Sequence, residues 1–514
     1  MLTIADPERY ARHRAARTQS TSATRELLLP IALFGCIGAI AWAIRGTNGW
    51  NGIDGTIVPG TMWGILWWYC CARKGIRANS APLWLGLGIA VGGELGYGIY
   101  VSWIRGMFQH GATNEIIHIA PWKGWLWFFI CGIGWGAPGG ICLGWALSTK
   151  RSLRIWIPRI LIPFAAYHAT PYIIHAFPQL FLPNYDLVNY ANEADDNLGR
   201  IIWTQTMNAK ALFAWIAAMG VAFAQRDKTS YTINAIIGGG FGPGFMIAAL
   251  WCLGYASDTH ATFIDWWKIW ELNAGLFLGA LYALALCWSI RELDTRYDAQ
   301  GNPLSEEDVT HSAALWNVHT AWEAIGVVIL TMTIFYENSF RTSVAMSALF
   351  VSGTTALIMQ TLNGLTPQQR DLSRARLAQT FCVFLFIFVT WHGFTSTLGV
   401  ALGTHTAEIV DQYAWPIQRQ WLFAPIGLLI VAGTLLHMTR ISRGRHEQDQ
   451  SQSLPARITS LLIALGLVGV ISIWNLKLAI LYALFLCATL IAFLQLNRRF
   501  DRIDQQQPEP RSQS

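Results

Sequence analysis

Charge is what this 514-residue chain has least of. Asp, Glu, Lys and Arg together make 13% of it, against roughly a quarter in soluble proteins, so a hydrated surface of ordinary size is excluded. Cysteine is present but unpatterned. The nine Cys lie within or at the ends of apolar runs, Cys36, Cys131, Cys252 and Cys487 among them. That placement suits packing and argues against a disulfide framework or a metal set. A Walker motif, a dinucleotide fingerprint, Gly-x-Ser-x-Gly and His-Glu-x-x-His are all missing, so nothing here uses ATP by itself. No cofactor and no metal are expected. No small-residue cleavage site follows the first apolar run. Residues 1–25, basic at Arg9, Arg12, Arg14 and Arg17, therefore read as a cytoplasmic tail and not a removable signal.

What the chain has instead is oil. It is 53% hydrophobic with a mean hydropathy of +0.35, and apolar runs of about 20 residues, each able to cross ~30 Å of hydrocarbon, recur throughout. The expectation is an all-α polytopic membrane protein with about 14 transmembrane helices. Most of the 36 Lys and Arg fall on one side when the N-terminus is placed inside, for example Arg73/Lys74/Arg77, Lys150/Arg151/Arg154 and Arg440/Arg443/Arg445. The bias persists to the end of the chain, which predicts both termini in the cytoplasm of a bacterium and the spans in its inner membrane. The net charge of +6 is then a topology signal, with the lipid bilayer as partner and no nucleic acid. Homo-oligomerisation stays open.

The two halves differ in character. Residues 26–290 hold most of the 26 Trp and the glycine-dense blocks, and read as an eight-helix functional unit. Residues 291–316 form a cytoplasmic linker, 317–496 a six-helix supporting unit, and 497–514 a disordered cytoplasmic tail. Within the first unit a pattern repeats. GGELGYG (Gly92–Gly98) is followed by WKGW (Trp122–Trp125), and GGGFGPG (Gly238–Gly244) by WKIW (Trp267–Trp270). This predicts an internal helix-hairpin repeat of spans 3–4 (83–104 and 124–148) and 7–8 (231–255 and 264–290). The glycine blocks, with WGAPGG at Trp135–Gly140, are either close-packing seams or interruptions that free backbone groups for a solute. The fifth span, 155–182, carries Pro158, Pro163, Pro171 and Pro178, which favour kinks or a broken helix.

Glu94 lies near the middle of span 3, where an ionised carboxylate costs at least ~2.5 kcal/mol. That cost marks it as a proton carrier, cation ligand or solute contact, against the plain alternative of an acid satisfied by a neighbouring helix. A second constellation sits at the outer span ends: Arg45, Asp54, Arg105, His110, Glu115, His118, Lys123, His260, Asp265, Lys268 and Glu271. Taken singly, an Arg or Trp at a membrane boundary is a snorkelling anchor or belt residue. Together they predict a polar vestibule suited to an anionic ligand through its cations, or to a sugar ring through its Trp faces.

The function expected is secondary, ion-coupled transport of a small polar solute, anionic or sugar-like, from a site opening to the periplasm. One alternative is a membrane-embedded transferase or polymerase acting on a lipid-linked or cell-envelope substrate. Another is a structural subunit of a membrane complex. WHGF (Trp391–Phe394) resembles the Trp-His-Gly around the catalytic histidine of membrane-bound O-acyltransferases. The match covers four residues, and the family's upstream partner region is not found.

Overall fold

The computed structural model describes residues 2–304, apart from short stretches that include 46–52, 93–94, 111–114, 192–195 and 255–265. It also describes the helix over 476–505 and a few isolated positions before it. The spans expected between 317 and 474 fall almost wholly outside the described residues, as do WHGF, Glu94, His260 and Asp265, and the side chains of Arg45, Asp54 and His110.

The described chain is mostly helical. In order it forms α1 (Pro7–Gln19), α2 (Ala23–Arg45), α3 (Ile53–Ala72), α4 (Ala81–Gly92), α5 (Gly98–Trp103), α6 (Pro121–Leu147) and α7 (Leu153–Ala176). There follow α8 (Pro178–Phe181), α9 (Asp196–Ala224), α10 (Lys228–Asn234), a π-helical turn (Ala235–Gly239), α11 (Gly240–Ala248), α12 (Trp251–Gly254), α13 (Trp266–Asp294) and α14 (Leu476–Gln505). Two short antiparallel ribbons accompany them. β1 (Thr3–Ile4) pairs with β2 (Ile76–Arg77), and β3 (Met107–His110) pairs with β4 (Glu115–His118) in the register His110 to Glu115. Six helical stretches among the described residues are long and apolar enough to cross a membrane: Glu26–Ile44, Pro121–Leu147, Asn197–Ala224, Lys228–Gly254, Trp266–Asp294 and Leu478–Gln505.

Glycine sets the packing. α2 and α13 run antiparallel in close contact; a methyl group on Gly275 would stand 2.3 Å from the Gly38 carbonyl oxygen, and one on Gly279 2.1 Å from that of Phe34. On α6, Gly132, Gly136, Gly140 and Gly144 recur every fourth residue and so share one face. They receive Phe241 and Phe245, Ile237, Asn234 and Ser230 in turn. WGAPGG lies inside this seam, and α6 runs unbroken through Pro138. α7 likewise continues through Pro158, Pro163 and Pro171 and stops only before Pro178. Its Leu161, Phe164 and Tyr172 are exposed, as are Phe223 of α9 and Ile491 of α14. In an apolar bundle these are lipid-facing surfaces.

The two glycine-block copies diverge. The second passes through the π-turn directly into α11. The first is a true break: α4 ends at Gly92, α5 begins at Gly98, and residues 95–97 are non-helical, so span 3 is two helices and not one. α9 is long, 29 residues from Asp196 to Ala224.

One end of the bundle carries the β3–β4 hairpin and the other carries α1. At the α1 end, Arg17 makes a two-pronged pair with Asp294 (2.6 and 2.8 Å), which also accepts from Tyr10 Oη at 2.6 Å. Arg73 reaches Asp501 and Asp504, Arg499 pairs with Glu26 at 2.9 Å, and Tyr69 hydrogen-bonds Asn497. These contacts correct the expectation of disorder from residue 497. α14 stays helical to Gln505 because the basic α1 and the segment around Arg73 supply counter-charges that local composition does not reveal.

Candidate functional site

Hydrogen bonding at the break explains how it survives in an apolar interior. Unwound backbone is tolerated at membrane depth only where its polar groups find partners. The Gly96 carbonyl accepts from Asn208 Nδ2 at 2.9 Å and from the Cys131 thiol at 3.8 Å. Asn208 Nδ2 also donates to the Thr204 carbonyl and to Tyr100 Oη, and Tyr100 Oη donates to Gln205 Oε1 at 2.5 Å. Gln205 Nε2 in turn holds the Phe181 carbonyl at 2.7 Å. Tyr100, Gln205 and Asn208 are all fully buried. α9 therefore supplies an amide clamp for the gap between α4 and α5.

Aromatic rings line the gap. The Tyr97 ring lies 4.6 Å from Trp270, 5.9 Å from Trp267, 5.9 Å from Phe245 and 6.4 Å from Trp135. Beside them, at the start of α13, Lys268 Nζ meets Glu271 Oε2 at 2.7 Å, with Glu271 only 1% exposed. The (i, i+3) spacing puts both on one helical face. Lys268 Nζ further donates to the Ala43 carbonyl of α2 at 3.3 Å, and Trp267 Nε1 donates to Glu271 Oε1 at 3.2 Å. Both carboxylate oxygens are thus engaged. A buried pair of this kind carries a desolvation cost that its attraction only partly returns.

Arg105 follows α5 in a turn closed by Gly106 at φ +79°, a left-handed conformation that favours glycine. Its Nε donates to the Val101 carbonyl at 3.0 Å, and it is half-buried. Glu115 and His118 are exposed on β4, and Lys123 is half-buried in the first turn of α6. By backbone, Arg45 closes α2, Asp54 opens α3 and His110 ends β3. Of the residues expected at the site, the structure brings Lys268 and Glu271 together, and it leaves Glu115 and His118 at the surface. Among the described residues no group of three His, Cys, Asp or Glu could hold a metal.

Sequence reasoning passed over Gln205 and Asn208, although two amides three residues apart on a membrane helix are a signal for hydrogen bonding to a neighbouring helix. A second buried pair lies toward the α1 end. Arg159 (1% exposed) bonds Asp227 (3% exposed), Ser148 Oγ at 3.1 Å and Gln225 Oε1 at 2.8 Å. Asp227 also caps α10 by accepting from the Ser230 amide at 3.1 Å.

The helices and their apolar surfaces define an all-α, membrane-embedded protein of the multi-pass kind. No family model, curated protein or solved structure matches the chain.

Proposed function

We propose that this protein is a secondary, ion-coupled transporter of a small polar solute in a bacterial cytoplasmic membrane, with its site opening to the periplasmic side at the hairpin end. In this reading the chain has about fourteen spans with both termini cytoplasmic. The hairpin repeat then contributes the two walls of the route. The observation that carries the proposal is the break between α4 and α5, whose Gly96 carbonyl is turned toward α9 beside an aromatic cluster and the Lys268–Glu271 pair. Interrupted helices next to charged side chains are how transporters build solute and ion sites in oil. Lys268, Glu271 and Arg105 act as recognition or gating charges, and Glu94 as the coupling or binding acid.

Reconstitution tests this. Protein in liposomes should accumulate or exchange solute, and Glu94→Gln or Glu271→Gln should abolish or uncouple that movement. Turnover of a lipid-linked substrate in detergent, without any gradient and without solute flux, would overturn the proposal in favour of a membrane transferase.

A further inference from the structure

The turn between α9 and α10 is built against a steric preference. α9 ends in a Schellman motif: the Asp227 amide donates to the Ala222 carbonyl and the Arg226 amide to that of Phe223, each at 2.9 Å. Glycine is the usual residue at the left-handed position of this motif. Here that position holds Arg226, at φ +51°. A side chain kept in such a conformation carries a steric cost, and an outlier of this kind points to a role for the side chain itself. The Arg226 side chain is exposed, and among the described residues it has neither a hydrogen-bond nor an ion-pair partner.

Hydrogen bonds fix what lies beside it. Gln225 Nε2 donates to the Ile155 carbonyl at 2.8 Å, and Gln225 Oε1 accepts from Arg159 Nε at 2.8 Å. Lys150 Nζ donates to the Gln225 carbonyl. The start of α7 and the end of α9 are thus tied through one residue. Arg154 and Arg226 are the chain neighbours of the bonded Ile155 and Gln225, so they share one rim, and Arg154 is exposed as well. Lys228, next along the turn, is 71% exposed and pairs with Glu292 at 3.1 Å. Arg159 cancels Asp227 beneath this rim, and Lys228 offsets Glu292. Lys150, Arg154 and Arg226 remain as an excess of positive charge.

Each exposed cation stands over exposed carbon. α7 and α10 run away from the rim and α9 runs toward it. The deeper neighbours, each three residues off, are therefore Ile157 for Arg154, Phe223 for Arg226 and Tyr231 for Lys228. All three are exposed, Phe223 at 75%, and the Phe223 and Tyr231 rings lie 6.2 Å apart. A soluble anion has no use for such an apolar shelf. A molecule with a negative head and hydrocarbon tails meets both halves: charge-assisted hydrogen bonds from guanidinium to phosphate above, and chain packing on the rings below. If each cation merely snorkelled to water, the left-handed backbone at Arg226 would serve nothing.

We propose that Arg154, Arg226 and Lys228, above Ile157, Phe223 and Tyr231, form a binding site for the phosphate headgroup of an anionic phospholipid in the leaflet on the α1 side. This site is independent of the transport reading.

Purified full-length protein in neutral detergent, supplied with phosphatidylglycerol or with phosphatidylcholine of the same acyl chains, tests it. Native mass spectrometry should show phosphatidylglycerol retained in preference, and the thermal midpoint should rise with that lipid alone. Arg154→Gln and Arg226→Gly should each weaken phosphatidylglycerol binding about fivefold, as expected for one cation at a membrane surface. Arg226→Gly also relieves the backbone, so its midpoint in phosphatidylcholine should equal or exceed that of the wild type, which keeps loss of binding distinct from loss of fold. Arg502→Gln, which removes an exposed cation of α14, should leave binding unchanged. Equal weakening by Arg502→Gln would overturn the site, since surface charge in general would then suffice. So would Arg226→Gly that binds phosphatidylglycerol as the wild type does. Stabilisation to the same extent by inorganic phosphate alone would overturn the lipid in favour of a soluble anion.

Discussion

Asn208 Nδ2 donates to the Gly96 carbonyl at 2.9 Å, and so the middle of α9 holds the two halves of a broken helix in place. The same nitrogen serves Tyr100 Oη and the Thr204 carbonyl. Asn208→Leu keeps the volume and removes every one of these donations, leaving the Gly96 carbonyl and Tyr100 hydroxyl short of a partner. Each such loss costs ~1–3 kcal/mol. The thermal midpoint in detergent should fall clearly and solute flux should disappear; an unshifted midpoint would refute the clamp.

Lys268 and Glu271 allow stability and function to be separated. Glu271→Gln alone leaves the Lys268 ammonium buried without its counter-charge, a loss on the order of 3–5 kcal/mol for pairs of this kind. The double variant Lys268→Met, Glu271→Leu removes both ions and should recover most of the stability while remaining inactive in flux assays. Recovery of flux along with stability would make the pair a structural feature only.

The Arg159–Asp227 pair predicts the same order of stabilities. Arg159→Leu strands Asp227, which must still cap α10, so the single variant should unfold at lower denaturant concentration than Arg159→Leu combined with Asp227→Asn. Asparagine keeps the cap without the charge. Equal denaturation midpoints for the two would exclude the coupling.

At the α1 end, His13 is 2% exposed, and its Nε2 lies 3.4 Å from Asp504. Burial first, then the positive charges of Lys74, Arg17, Arg73 and Arg9, hold its pKa down from 6.5 to about 3; these cations outweigh the single facing carboxylate. The folded protein keeps the imidazole neutral while the unfolded chain takes up a proton near 6.5, so below that pH the unfolded state binds more protons. Stability is therefore present above about pH 6.5 and lost as the pH falls toward about 3. Thermal midpoints across this window should decline, and His13→Phe should flatten the decline. The same slope in wild type and variant would assign it to other groups.

Glycine substitutions should sort by location. Gly279→Ala places a methyl group 2.1 Å from the Phe34 carbonyl oxygen, and backbone there cannot step aside. Overpacking of this kind costs about 1–3 kcal/mol. Gly220→Ala on α9 meets nothing within 4 Å and should be neutral or stabilising by up to about 1 kcal/mol. A reversed order in thermal midpoint would show that the α2–α13 seam is looser than described.

How far the candidate site was legible depends on the residue. Lys268 and Glu271 stood out because ionisable side chains near apolar runs are expensive, and cost is visible in one dimension. Gly92–Gly98 drew notice as a place where a helix could part. The parting itself was not legible, because GGGFGPG carries one glycine more and yet continues as helix through a π-turn. What differs is the neighbour: Asn208 and Cys131 receive the freed Gly96 carbonyl, while the second block is closed against α6 by backbone packing. Arg159 is a lone charge within the expected fifth span, and its partner Asp227 sits 68 positions away, beyond any local pattern.

By itself, the order of residues determined that this chain is helical and lives in a membrane. Hydrophobic runs and sparse charge act additively along the chain and need no third dimension. Only the tertiary structure decided which glycines pack and which unwind, that α14 stays ordered past residue 497, and which polar atoms are paired. Each of those outcomes turns on a hydrogen bond or ion pair between helices far apart in sequence, and its strength exists only where the fold excludes water from both partners.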